Sequence, residues 1–143
     1  TSKVAEPLLA LSWQEDIFNN LGLRIPGKID NLKDLFKELF IYSEENHFTL
    51  VIDEFQEIEK INKTFFSEFQ NLWDTYKNKS KMNLIVCGSI YSLMVKIFEN
   101  AKEPLFSRCN LKMTLKPLPP SVIKEILSDY YPKYTIGIEF NTI

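Results

Sequence analysis

Apolar residues recur along the chain with two periods, and the alternation of those periods predicts its elements. Leu8, Leu9, Leu11, Trp13, Ile17, Phe18 and Leu21 fall at roughly helical spacing, and Gly22 is a suitable stop. Arg24-Ile25-Pro26-Gly27-Lys28 reads as a loop, because Pro and Gly both break regular structure. Asp30 or Asn31 can cap the next helix, whose Leu32, Leu35, Phe36, Leu39 and Phe40 form one stripe. The polar Ser43-Glu44-Glu45-Asn46 ends it. Phe48-Thr49-Leu50-Val51-Ile52 is a nearly continuous apolar run, the pattern of a strand buried on both faces of a parallel sheet.

Phe65, Phe66, Phe69, Leu72, Trp73 and Tyr76 predict a third helix, and Asn83 to Gly88 a second buried strand. A short apolar helix is expected from about Tyr91 to Phe98, and a loop from Glu99 to Arg108. Leu111-Lys112-Met113-Thr114-Leu115 alternates apolar and polar, which predicts a strand nearer a sheet edge. Pro117, Pro119 and Pro120 stop it, and Ser121 to Tyr130 is amphipathic, with Val122, Ile123, Ile126 and Leu127 on one side. The stretch from Pro132 to Ile143 has no single reading. Strands separated by helices of this length predict an α/β fold: a mostly parallel sheet with helices on both faces.

Composition narrows the function classes. The 143 residues suit one domain with a real core, and a net charge of −2 gives no sign of sequence-independent nucleic-acid binding. Lys77, Lys79 and Lys81 form the densest basic run, which reads as a solvated helix end. No apolar run approaches a membrane span, and Thr1-Ser2-Lys3 lacks a signal-peptide pattern. Cys87 and Cys109 make no CxxC pair and the one histidine, His47, excludes a multi-histidine metal cage. A reduced cytoplasmic protein is the simplest reading. Cys87 is expected to be a buried strand residue, Cys109 a loop thiol and His47 a turn residue.

Ligands of open parallel sheets bind beyond the finishing ends of the strands, and three polar features fall there. An apolar strand runs straight into the adjacent carboxylates Asp53 and Glu54. Such a pair is explained if it meets a cation and a water: Asp53 would hold Mg²⁺ through its hydration shell, and Glu54 would orient and deprotonate the attacking water. The plainer alternative is that Asp53 caps the next turn and Glu54 is simply exposed. Ser89, just past the second strand, could contact a γ-phosphate, although Ser after Gly is also a routine turn residue. Arg108 could neutralise charge on a transferring phosphoryl group, in cis or in trans, or could be a surface residue in an ion pair.

Taken together these segments resemble a known group. Leu50-Val51-Ile52-Asp53-Glu54-Phe55-Gln56 is similar to the Walker B segment of the archaeal-type AAA+/STAND-like ATPases, which often read "IDEFQ" or "IDEAQ". Leu84 to Ser89 is similar to their sensor-1 strand. Pro104-Leu105-Phe106-Ser107-Arg108 resembles their "PLYGR" element, with Ser107 where Gly is usual, and Leu115-Lys116-Pro117-Leu118 their link into a lid. Residues Thr1 to Leu21 resemble the end of a second core strand and its helix. The resemblance runs to about Tyr130. It implies a partial P-loop NTPase of the ASCE type, a three-layer α/β/α fold, with residues 1–116 in the core and 117–143 opening a helical lid.

One departure matters. The phosphate-binding motif G-x-x-x-x-G-K-S/T does not occur, and the four glycines are scattered at 22, 27, 88 and 137. The expectation is a chain that starts downstream of that loop, with the central first strand missing and the sheet incomplete, rearranged or completed by a partner chain. The implied function is ATP binding and hydrolysis with Mg²⁺, exercised by the parent protein rather than by this segment alone. Asp53 is then the metal ligand, Glu54 the base, Ser89 the phosphate sensor and Arg108 the charge stabiliser. Nucleotide is the implied partner, with self-association left open and no membrane partner. The alternative is a non-catalytic interaction module on a degenerate P-loop fold. A hydrolase using Asp53 and Glu54 as direct metal ligands ranks last, because it needs further carboxylates at other strand ends.

Overall fold

The computed structural model describes residues 2–130. The chain divides into two units, residues 1–110 and 111–143. In the first, α1 (Ser2–Leu21) and α2 (Leu32–Ser43) precede strand β1 (Phe48–Ile52). A 3-10 turn (Phe55–Glu57), α3 (Ile58–Ile61) and α4 (Phe65–Tyr76) lead to β2 (Met82–Val86), and α5 (Tyr91–Glu99) follows. In the second, α6 spans Pro120–Tyr130, with proline at its first position, where a missing N–H costs nothing. Residues 131–143 lie outside the described residues, and with them about half of the expected lid and the Pro132 to Ile143 stretch.

The elements form where local chemistry starts and stops them. Gly22, at φ 66°, ends α1 in the left-handed conformation that a residue with a Cβ resists, and its N–H returns to Phe18 O at 2.9 Å. Asn31 caps α2 by accepting from Asp34 N at 2.8 Å. Glu6 Oε1 takes the Leu32 N–H at 3.0 Å and Asn62 Nδ2 at 2.9 Å, tying α1 to the start of α2 and the end of α3. The expected strand end at the start of this segment is not seen among the described residues, where the helix already runs from Ser2.

The expected stripes supply the core. Leu32, Leu35, Phe36, Leu39 and Phe40 of α2 are almost wholly buried and meet Phe65, Phe66, Phe69 and Leu72 of α4. Phe36 lies edge-on to Phe69 at 5.1 Å, and Phe40 stacks on Tyr76 at 5.6 Å. Phe55 is 1% exposed and reaches this cluster through Phe65, Phe66 and Phe69 while stacking on Phe98 of α5 at 6.0 Å.

β1 and β2 pair in parallel, with Phe48 opposite Met82 and Ile52 opposite Val86. Phe48, Leu50 and Ile52, with Met82, Leu84 and Val86, lie on the core side. Thr49, Val51, Asn83 and Ile85 occupy the other face and are exposed, Val51 at 59% and Ile85 at 46%. The strands are therefore covered on one face, not two. A continuous apolar run shows that both faces tolerate burial, not that both are covered, and parallel sheets normally carry helices on each side. Among the described residues the sheet has two strands, mixed with helices in an α/β arrangement.

The expected strand at Leu111 to Leu115 is not formed, and residues 111–119 are irregular. Leu111, Met113 and Leu115 are 78%, 77% and 85% exposed. Alternation in a sequence specifies which face a strand would bury, but a strand exists only where another supplies its hydrogen-bonding edge. The 3-10 turn and α3, at 55–61, were not expected: seven residues are too few for a helical period to register.

Core and open face should respond differently to substitution. Phe36→Ala is expected to lower unfolding free energy by about 3–5 kcal/mol in urea titrations. Val51→Ser should change it by less than about 0.5 kcal/mol.

Candidate functional site

The parallel ladder does not stop at the last strand residues. Cys87 N donates to Ile52 O at 2.9 Å, and Phe55 N donates to Cys87 O at 3.0 Å. These bonds carry the pairing past β1 and β2 and bring residues 53–55 beside 87–89. Asp53, Glu54 and Ser89 therefore share the finishing end of the sheet, as the sequence suggested.

Asp53 is exposed, and its Oδ1 accepts from Glu54 N at 2.9 Å, so it does serve the turn that follows it. The same oxygen accepts from Cys87 Sγ at 3.3 Å. Cys87 is exposed, not buried as expected, because β2 ends at Val86 and the open sheet face leaves its side chain uncovered. The bond to Asp53, then partial burial and the charges of both acids, raise the thiol's pKa and keep it protonated.

Glu54 stands at φ 51°, ψ 40°, a left-handed backbone that costs a residue with a Cβ about 1–2 kcal/mol. Three donors converge on its Oε2: the Gln56 side-chain amide, Ser89 N at 3.3 Å and Ser89 Oγ at 3.0 Å. These bonds, Gln56's first and Ser89's next, hold the carboxyl below the usual carboxylate range, against slight burial and the charge of Asp53. At neutral pH it is ionised and accepts hydrogen bonds on a fixed oxygen. Sequence reasoning gave Gln56 no part in the site beyond its place in the motif. The signal that could have found it is its burial at 2% exposed, which no periodicity reveals inside a short turn.

Arg108 is elsewhere. Its Nη2 meets Asp74 Oδ2 at 2.7 Å, Nε lies 3.2 Å from Asp74 Oδ1, and Nη1 donates to Pro104 O at 2.8 Å and Phe106 O at 3.2 Å. None of these contacts is with Asp53, Glu54 or Ser89. Asp74 sits in the last turn of α4, the end that leads into the start of β2, whereas the three site residues follow its finish. A five-residue strand separates those ends by about 16 Å. The ion-pair alternative raised for Arg108 is thus realised in this chain. Ser107 has φ 59°, a left-handed backbone that favours glycine.

Among the described residues no group of three or more His, Cys, Asp and Glu could cage a metal. One exposed carboxylate at a strand end does fit Mg²⁺, which keeps most of its water and takes one or two protein carboxylates beside substrate oxygens. The residues do not fit ATP by themselves, because no chain of glycine amides with a lysine is present to cradle phosphates. A cavity of about 390 Å³ between α1 and residues 23–28 is lined by Leu11, Phe18, Leu23 and Ile25, and includes none of the site residues. Among the described residues no helix is long and apolar enough to cross a membrane.

Two outcomes follow for the Arg108 loop. Arg108 holds the Asp74 carboxyl below its ordinary range, so the pair contributes stability above Asp74's unfolded pKa that is lost as pH falls through the depressed folded value. Both side chains are partly exposed, so Asp74→Asn should cost at most about 1 kcal/mol at pH 7, and the deficit against the unaltered chain should vanish in acid. Ser107→Gly should be tolerated or stabilise by up to about 1 kcal/mol, read from thermal unfolding.

Comparison with known proteins gives two relatives from Methanocaldococcus jannaschii. The uncharacterized protein MJECL04 is 28% identical over 116 residues, 81% of this chain and 25% of its own length. The uncharacterized protein MJ0424 is 36% identical over 75 residues, 52% of this chain and 66% of its own length. No family model matches, and no solved structure does. The chain spans about a quarter of the first relative and 66% of the second.

Proposed function

We propose that the chain supplies the water-activating part of an ATP-hydrolysing P-loop core of the AAA+/STAND type. The single observation that supports this most is the convergence of Ser89 N and Oγ on Glu54 Oε2 at the end of a parallel strand pair, beside Asp53. Fixed carboxylates at that end of a parallel sheet are where this chemistry needs them. Glu54 is the residue that accepts from and orients the attacking water. Ser89 holds Glu54 and can turn its hydroxyl to a phosphate oxygen. Asp53 would hold a hydrated Mg²⁺, which when bound neutralises phosphate charge.

The phosphate cradle must come from residues outside these 143, in keeping with the quarter of MJECL04 that the match occupies. The two-strand sheet with one bare face is compatible with a fold whose remaining strands lie elsewhere in a longer polypeptide. Arg108 does not reach Glu54 within the chain, so in this reading it stabilises charge across a contact between copies or keeps its structural pairing.

The bare face also favours a second reading, an interaction module in which Val51 and Ile85 meet a partner and no turnover occurs. Two measurements separate them. Calorimetric titration of this chain with ATP·Mg²⁺ should show no micromolar binding; micromolar binding would overturn the assignment of the cradle to other residues. In the complete gene product, Glu54→Gln should lower ATP turnover about 100-fold or more with nucleotide affinity retained. A complete product that neither binds nor hydrolyses ATP leaves the interaction module.

A further inference from the structure

Gln56 is 2% exposed, which leaves its amide almost wholly withdrawn from water. Its Nε2 donates to Glu54 Oε2, while its Oε1 is buried with no hydrogen-bond partner. Turning the amide over would set an oxygen against the Glu54 carboxylate, so the orientation is dictated by Glu54. A buried acceptor left unpaired is destabilising. A methionine of the same length would fill the space without that cost. The polar residue is therefore explained by what its amide does to Glu54, not by packing.

Gly88 completes the arrangement from the other strand. A Cβ placed there would overlap Gln56 Oε1 and come within 2.7 Å of Met94 Sδ. The Gln56 carbonyl is thus seated against the Gly88 backbone, and only glycine leaves it room. The bonds from Gln56 and Ser89 all go to Oε2, and none of them is made to the other Glu54 oxygen.

We infer that Gln56 is a positioning residue, which with Gly88 behind it clamps one oxygen of Glu54 so that the second is presented in one orientation. Its catalytic consequence rests on the hydrolase reading above; its structural consequence does not. Misorienting a catalytic group by about 1 Å can cost up to about 100-fold in rate.

The experiment has two arms. In the 143-residue chain, amide spectra report Ser89 N–H and the Gln56 side-chain N–H₂. Gln56→Met should shift Ser89 N–H strongly as the carboxylate leaves it, and Gly88→Ala should do the same by displacing the Gln56 amide. Glu54→Gln, at a more exposed position, should shift the Gln56 N–H₂ signals even if the other variants fail to fold. In the complete gene product, Gln56→Met and Gly88→Ala should lower kcat about 10- to 100-fold while KM for ATP stays within about twofold. Unmoved Ser89 N–H and unchanged kcat in a folded Gln56→Met, or unmoved Gln56 signals in Glu54→Gln, would overturn the inference. Shifted amides in a product that never hydrolyses ATP would uphold the clamp and remove the hydrolase reading instead.

Discussion

The candidate site depends on two backbone hydrogen bonds that lie just beyond the strands. Cys87 N to Ile52 O and Phe55 N to Cys87 O lock the two strand ends in one register. Without them, Asp53 and Glu54 would belong to an exposed turn with no fixed relation to Ser89. With them, Phe55 is aimed into the aromatic core and anchored by Phe65, Phe66, Phe69 and Phe98. The left-handed backbone of Glu54 is what links the ladder to that anchor: a strained residue sits between two firmly held ones. Strain of this kind persists only where its surroundings over-determine it, as they do here.

The opposite ends of the strands are held by different chemistry. Lys81 N donates to Ser43 O at 2.9 Å, and the buried Ser43 hydroxyl meets Ser80 Oγ at 2.7 Å. The end of α2 and the start of β2 are thus joined by polar contacts while the site end is joined by the ladder. Two strands pinned at both ends and packed on one face can hold a register that an isolated parallel pair could not. The other face has no such support among the described residues. Its Val51 and Ile85 are what distinguish the sheet from a finished one.

Much of this arrangement was legible in the sequence. The α2 and α4 stripes are long and strongly periodic, and Asn31 caps α2, so the helices and their buried faces could be read off directly. The pairing of Asp53-Glu54 with Ser89 followed from strand ends in a parallel order. What could not be read depends on neighbours. The 111–115 alternation needs an edge that sequence does not show, and the same is true of the cover expected over Val51 and Ile85. Arg108 illustrates a different limit. Its loop position suggested chemistry, but its partner, Asp74, is 34 residues away and on a helix whose surface reads as ordinary. Gln56 was overlooked because burial of a single polar residue in a turn leaves no pattern at all.

The geometry around Glu54 also constrains the chemistry it can do. Three donors on one oxygen fix direction but lower proton affinity, so orientation is gained at the expense of basicity. A strong general base would be placed in apolar surroundings that raise its pKa toward neutrality. Glu54 is instead exposed enough to stay ionised, and Asp53 beside it raises its proton affinity only as the last of the influences. A carboxylate of this kind aligns a water and accepts its hydrogen bond better than it removes its proton. That suits phosphoryl transfer, where positioning and charge stabilisation carry most of the catalysis and proton removal can be late. The same environment would suit proton abstraction from carbon poorly, because that reaction needs a base of raised pKa. In the proposed hydrolase the polar clamp on Glu54 therefore serves alignment of the water rather than removal of its proton.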